Sequence, residues 1–275
     1  MRNIFNYVDR PSPIHRLTGA AKLVCLLLWS FAAMTTYDTR LLVFLTLLSL
    51  ALFLLSRIRL SDVSFLLGFM AAFMVLNNVL IFLFSPQHGV SLYGSSHPLF
   101  SLGGQYVITQ EQLFYHLNLV LKYFATIPIV LLFVCTTNPS EFAASLNRLG
   151  IRYTVAYSVA LALRYIPDIQ KNYHEISQAQ QARGIEMSRK QNLVKRLKSA
   201  AAILIPLILS SMDRIEVISN AMELRGFGKK KKRSWYMARP FTRWDILAMI
   251  ACALLLLVSI GLNVLNGGRF WNPFR

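Results

Sequence analysis

Long apolar runs joined by short polar stretches fill the first half of the chain, and polar segments carrying an apolar stripe at helical spacing fill much of the second. A helix needs about 20 mostly apolar residues to cross roughly 30 Å of hydrocarbon. Five runs qualify as spans: Ala20–Tyr37, Leu41–Leu55, Val63–Phe84, Leu113–Thr136 and Trp244–Val264. Met1–Leu17 is polar and carries Arg2, Arg10 and Arg16 with no apolar stretch of its own, so it does not read as a cleaved signal. The pattern predicts an all-α polytopic membrane protein with about five transmembrane helices and long amphipathic helices between the fourth and fifth. It divides the chain into 1–136 (four spans), 137–240 (amphipathic helices) and 241–275 (a last span and tail).

Within the amphipathic region, Ile151–Ile166 and Ala200–Met212 are too short for good spans and carry Pro167 and Pro206 at or near their ends. They are expected to lie under or partly in the inner leaflet, each leading into a separate polar helix. From Asp168 the residues Ile169, Tyr173, Ile176 and Ala179 share one stripe, and from Asp213 so do Ile215, Ile218 and Met222. An apolar stripe outside the hydrocarbon must be covered, so these residues are expected to pack on each other or on a partner protein.

Composition adds a direction. The chain is 55% hydrophobic and 15% charged, with 29 Lys and Arg against 12 Asp and Glu. Residues Ser85–Gln112 hold no Lys or Arg, whereas Thr137–Arg243 hold 19 of the 29. Basic residues stay in the cytoplasm, which places the first of these loops outside and the second, with the N-terminus and the Arg57/Arg59 turn, inside. The outer loop contains Gly89, Gly94, Gly103 and Gly104 and reads as loosely ordered. Cys25, Cys135 and Cys252 all fall inside apolar runs and read as small buried hydrophobes.

The two polar helices end alike. Ala179-Gln-Gln-Ala182-Arg183-Gly184 and Ala221-Met-Glu-Leu-Arg225-Gly226 both follow the pattern Ala-x-x-x-Arg-Gly, repeated 42 residues apart. Ala at i and Arg at i+4 share a face, so the small residue leaves room for a partner beside the guanidinium. Glycine then allows the left-handed turn that ends a helix. One such ending is an ordinary stop signal, favoured by the helix dipole. Two copies on matching helices favour a docking role. At about 1.5 Å per residue the tips lie up to roughly 24 Å beyond Pro167 and 28 Å beyond Pro206. A proline removes a backbone hydrogen bond and permits bending, which predicts hinges at these two residues.

The stretch Leu161-Ala-Leu-Arg-Tyr-Ile-Pro167 with Gln178-Ala-Gln-Gln-Ala-Arg-Gly184, then Ile205-Pro206 with Ala221-Met-Glu-Leu-Arg-Gly-Phe227, resembles the transmembrane T component of energy-coupling factor (ECF) transporters. Ser12-Pro-Ile-His15-Arg16-Leu17 and Thr136-Thr-Asn-Pro139 match the same family, which usually continues the first with Asp-Pro-Arg where this chain has Thr18-Gly19-Ala20. The resemblance implies a prokaryotic plasma-membrane scaffold with no cofactor. It would join two ABC-type ATPase subunits to a membrane S component that binds a vitamin or a transition-metal ion. Each of Arg183 and Arg225 would enter a groove on one ATPase. Consistent with borrowed energy, the chain has no G-x-x-x-x-G-K-[ST] phosphate loop.

Other chemistry finds few parts. The in-membrane polar residues Asn77, Asn78, His116, Asn118 and Lys122 are the best candidates for a substrate path or a membrane enzyme, but they form no H-E-x-x-H, paired-carboxylate or Cys/His ligand pattern, so no catalytic or metal site is assigned. Asn118 and Lys122, one helical turn apart, are expected to face the bundle interior. His15 and His174 read as surface residues. The run Lys229-Lys-Lys-Lys-Arg233, followed by Trp235 and Tyr236, reads as an anchor to anionic lipid with aromatics at interface depth, not as a nucleic-acid reader. A channel, a secondary transporter or a membrane enzyme remains the alternative class.

Overall fold

A computed structural model describes residues 12–103, 106–185, 192–229, 235 and 239–273. The chain divides into two compact units, Met1–Asn138 with Arg239–Arg275, and Pro139–Ala238.

The first unit is the membrane bundle. It contains α1 (Pro13–Arg16), α2 (Gly19–Thr35), α3 (Thr39–Leu55), α4 (Leu60–Phe84), α5 (His88–Tyr93), a hairpin of β1 (Pro98–Gly103) and β2 (Tyr106–Thr109), and α6 (Gln110–Thr136); the C-terminal helix of the chain also belongs to it. Three of its helices, α4, α6 and that C-terminal helix, are long and apolar enough to cross a membrane, and α2 and α3 are apolar helices of 17 residues each. The five spans read from the sequence thus coincide with five helices. Their outward faces are apolar and exposed, as at Phe31, Phe69 and Leu257, because hydrocarbon rather than water surrounds them.

Inside the bundle, Trp29, Ala33, Leu41, Leu45, Ala125 and Ile129 form one core cluster and Phe53, Ile58, Val63, Leu131 and Cys135 a second. Polar groups cross the helix interfaces wherever a backbone carbonyl is available. Pro128 interrupts α6 and has no N–H to offer Phe124 O, and the Ser49 hydroxyl donates to that carbonyl at 2.9 Å. The Trp29 indole N–H donates to Ala125 O beside it. Lys22 buries its ammonium against Thr136 O, in the last turn of α6 where the helix dipole favours a cation. The fully buried Asp245 accepts from the backbone N–H of Thr18 and from Thr242, so one carboxylate serves the starts of two helices.

The in-membrane polar residues are spent on such contacts. Asn118 accepts from Thr39 Oγ1 and donates to the Tyr93 hydroxyl, while Lys122 donates to Met34 O and lies over the Tyr37 ring. Both are buried, facing the bundle interior as their spacing predicts. His116 joins Asn78 to Gln112, and Asn77 is half-buried.

The loop between α4 and α6 departs from expectation. Gly104 lies outside the described residues, but the described part of the loop is folded, not loosely ordered, because α6 begins with a fully buried Glu111 that organises it. That carboxylate accepts from the Ser95 hydroxyl and the His97 backbone N–H, and pairs with the His97 ring. Gly89 lets α5 close on α6: a Cβ there would stand 2.6 Å from the Gln112 nitrogen and the Glu111 carbonyl. At the α2–α3 turn, burial works against the Asp38 carboxylate, yet hydrogen bonds from Arg40 and Asn266 outweigh it and hold its pKa below the usual carboxylate range.

The second unit comprises α7 (Pro139–Arg148), α8 (Tyr153–Ala182) and α9 (Leu193–Leu224); the C-terminal helix of the bundle is α10 (Arg243–Leu265). Here too the sequence reading needs correction. Ile151–Ile166 and Ala200–Met212 are not separate helices. Each is continuous with the polar helix after it, so Pro167 and Pro206 lie inside α8 and α9, of 30 and 32 residues.

Candidate functional site

The repeated Ala-x-x-x-Arg-Gly is repeated in backbone geometry as well as in letters. At the end of α8, Arg183 is the C-cap and Gly184 takes φ +87°; Gly184 N–H donates to Gln181 O and Ile185 N–H to Gln180 O. At the end of α9, Arg225 is the C-cap and Gly226 takes φ +64°; Gly226 N–H donates to Glu223 O and Phe227 N–H to Met222 O. This pair of bonds is the Schellman closure, and only glycine enters its left-handed position without a Cβ penalty. Arg183 and Arg225 are exposed, as are Ala179, Ala182 and Ala221.

The helices that carry these tips run antiparallel. Phe227, just past the end of α9, packs on Tyr153 and Tyr157 at the start of α8, with ring centroids 5.6 and 4.9 Å apart. At the other extreme, Gln180 in the last turn of α8 donates to Ala202 O near the start of α9 at 3.1 Å. The tips therefore lie at opposite ends of the pair. Since α8 alone has 30 residues, it extends about 45 Å.

Between these two ties the helices leave a cleft of about 660 Å³. Ile169, Ile215, Ile218 and Met222 line it, together with Leu161 and Tyr165. Four of the seven stripe residues read from the sequence thus meet in one place. Tyr173 is exposed and Ile176 half-buried, and both lie off the lining. Nor does the cleft close over the stripe, since Ile169 and Ile215 remain exposed within it.

Sequence reasoning missed the parts that hold the tips. Tyr153, Tyr157, Phe227 and Trp235 form a cluster in which Trp235 packs on both tyrosines and its indole N–H donates to Asn147 Oδ1 at the end of α7. Trp235, expected at interface depth, has these rings as neighbours. The available signals were Tyr153 and Tyr157 one helical turn apart and an aromatic residue directly after the second Arg-Gly. Lys230–Arg233 and Tyr236 lie outside the described residues. Of the two histidines read as surface groups, His174 is exposed and pairs with Gln178, while His15 is half-buried and bonds Ser12. Among the described residues no group of three or more His, Cys, Asp or Glu is placed to hold a metal.

A bundle of apolar helices with polar side chains satisfied inside it defines a polytopic membrane protein, which in the same chain carries a helix pair ending in two arginine tips. The chain belongs to the CbiQ family of cobalt transport proteins, which matches residues 10–235. Over most of its length it is similar to the energy-coupling factor transporter transmembrane protein EcfT of Streptococcus thermophilus, 28% identical over 256 residues, which is 90% of this chain and 93% of that protein. The EcfT of Bacillus selenitireducens is 29% identical over 264 residues, 93% and 94% of the two chains.

Proposed function

We propose that this chain is the T component of an ECF-type importer, a non-catalytic scaffold that couples ATP hydrolysis by two partner ATPase subunits to uptake through a membrane S component. The observation that carries the proposal is the duplicated arginine tip, identical in cap geometry and placed at both ends of one antiparallel helix pair. A guanidinium carries its donors in a planar fork, suited to carboxylates or carbonyls in a groove. Two tips match two ATPase subunits, one each. The open α8–α9 cleft, with its apolar lining, serves the S component.

In this reading the N-terminus, α8 and α9 are cytoplasmic, and Lys229–Arg233 holds that face to anionic lipid. Selectivity for a vitamin or a metal ion resides in the S component. ATP-driven closure of the ATPases shifts one tip against the other and so changes the cleft that grips it; a nucleotide biases the scaffold only through such a difference between states.

The test is capture. Co-expressed with its ATPases and S component, the tagged wild-type chain should retain both ATPase subunits. Charged hydrogen bonds are worth about 1.5 to 3 kcal/mol, so Arg183→Ala and Arg225→Ala should each weaken capture by roughly tenfold or more. The double substitution should abolish ATP-coupled uptake while the chain still inserts in the membrane. Unchanged uptake in the double variant would refute the docking role. Lysine should rescue poorly, lacking the planar fork.

A further inference from the structure

Proline lies inside three long helices of this protein, and in two of them, α6 and α9, the carbonyl it frees meets a side-chain donor from a neighbouring helix. In α6, Pro128 leaves Phe124 O without its helical donor, and Ser49 of a neighbouring helix supplies one. In α9, Pro206 has no N–H for Ala202 O, its partner four residues back, and the Gln180 side-chain amide of α8 donates to that same oxygen. Gln180 is no arbitrary donor. Its own carbonyl accepts the Ile185 N–H in the closure that ends α8 at Arg183 and Gly184. The residue that shapes the first tip at its backbone is therefore the residue that ties it to α9 through its side chain.

We infer that Gln180 and Pro206 are the two halves of a latch that sets the direction of the Arg183 tip. Pro206 acts by exposing an acceptor, and bending is not required of it. Both are positioning residues. The inference deepens the docking role proposed for Arg183, and its consequence for transport rests on that reading. In a regular helix Ala202 O would also accept from the amide of residue 206; a carbonyl has two lone pairs, so a residue with an N–H at 206 shares the acceptor and weakens the hold of Gln180 on it. Such sharing makes the latch separable from a hinge. Pro206→Ala loosens the tip by restoring a second donor to Ala202 O, and once Gln180 can no longer donate, the same substitution has nothing left to loosen. A hinge would lose its flexibility in Pro206→Ala whatever stands at 180.

Amide hydrogen exchange on the full chain in lipid nanodiscs, with no ATPase present, reads the latch by itself. Gly184 and Ile185 report the first tip, and Gly226 and Phe227, closed by the same backbone bonds, are the internal reference. One hydrogen bond corresponds to about three- to tenfold in the opening equilibrium. Gln180→Glu, of the same size but without the donor, should speed exchange at Gly184 and Ile185 by that factor, and Pro206→Ala by a smaller one. The double variant should go no further, Gln180→Lys, which still donates, should stay near wild type, and the reference amides should not change. An unchanged rate in Pro206→Ala, or effects of the two substitutions that add in full, would overturn the latch. ATPase capture by Arg183→Ala is a separate measurement, so a failed latch and a failed docking role give different results.

Discussion

At the Arg183 tip one hydrogen bond, from Gln180 to Ala202 O, ties α8 to its neighbour; at the Arg225 tip Phe227 enters a cluster with Tyr153, Tyr157 and Trp235, and Trp235 is itself bonded to Asn147. Backbone closure is the same at both. The difference lies in what stands immediately beyond the glycine, Ile185 in one case and Phe227 in the other. An aromatic ring with two or three ring neighbours has more to lose on opening than a neutral amide bonded to a carbonyl. Among the described residues one tip is thus clamped by rings and the other latched by an amide.

The largest test of that contrast is Phe227→Ala. Removing its contacts with Tyr153 and Tyr157 should cost about 2 kcal/mol locally, on the scale of two aromatic pairs. Exchange at Gly226 and Phe227, measured at the residue-227 variant's own amide, should then rise roughly thirtyfold and reach or exceed that at Gly184 and Ile185. Phe227→Tyr should preserve the clamp. Equal protection of both tips in the wild type would remove the contrast altogether.

The shared part of the two tips is probed by Gly184→Ala and Gly226→Ala. Both glycines have positive φ, and an L side chain there costs about 1 to 2 kcal/mol. Thermal unfolding should show similar penalties at both sites; a penalty at one alone would mean that the closures are not equivalent. Trp235→Phe keeps a ring but loses the bond to Asn147, and should loosen the Arg225 tip by about 1 kcal/mol with no change at Arg183. Exchange at the two tips checks it.

The smallest expected effect is in the membrane bundle. Ser49→Ala removes the donor that satisfies Phe124 O beside Pro128, and hydrogen bonds between membrane helices average about 0.6 kcal/mol. Unfolding in mixed micelles should detect it, and Pro128→Ala should add little once Ser49 is gone. Full additivity would mean that a proline-freed carbonyl is not a general tie in this fold, which would weaken the reading of Gln180 and Pro206.

Five apolar stretches were legible as five helices because hydrocarbon imposes both length and composition on whatever crosses it, and the repeated Arg-Gly was legible because a helix ending in left-handed backbone selects glycine locally. Asn118 and Lys122 could be placed on an inward face from spacing alone. The continuity of α8 and α9 through Pro167 and Pro206 was not readable in this way. Proline's local cost predicts an interruption, and it takes packing, as at Gln180 and Ala202, to repay it. The ordered loop before α6 escaped notice for a similar reason: Glu111 finds Ser95 and His97 only once the chain has turned back.

What the sequence determined by itself was everything that depends on neighbours within a few residues or on the surrounding solvent: the spans, the stripes, and the two caps with their arginines. Tertiary structure alone decided that the tips stand at opposite ends of an antiparallel pair, that Trp235 joins Tyr153 and Tyr157, and that Ala202 O, four residues before Pro206, accepts from Gln180. Those outcomes depend on which groups meet across distances of 22 to 88 residues in the chain, and no local propensity encodes such a meeting.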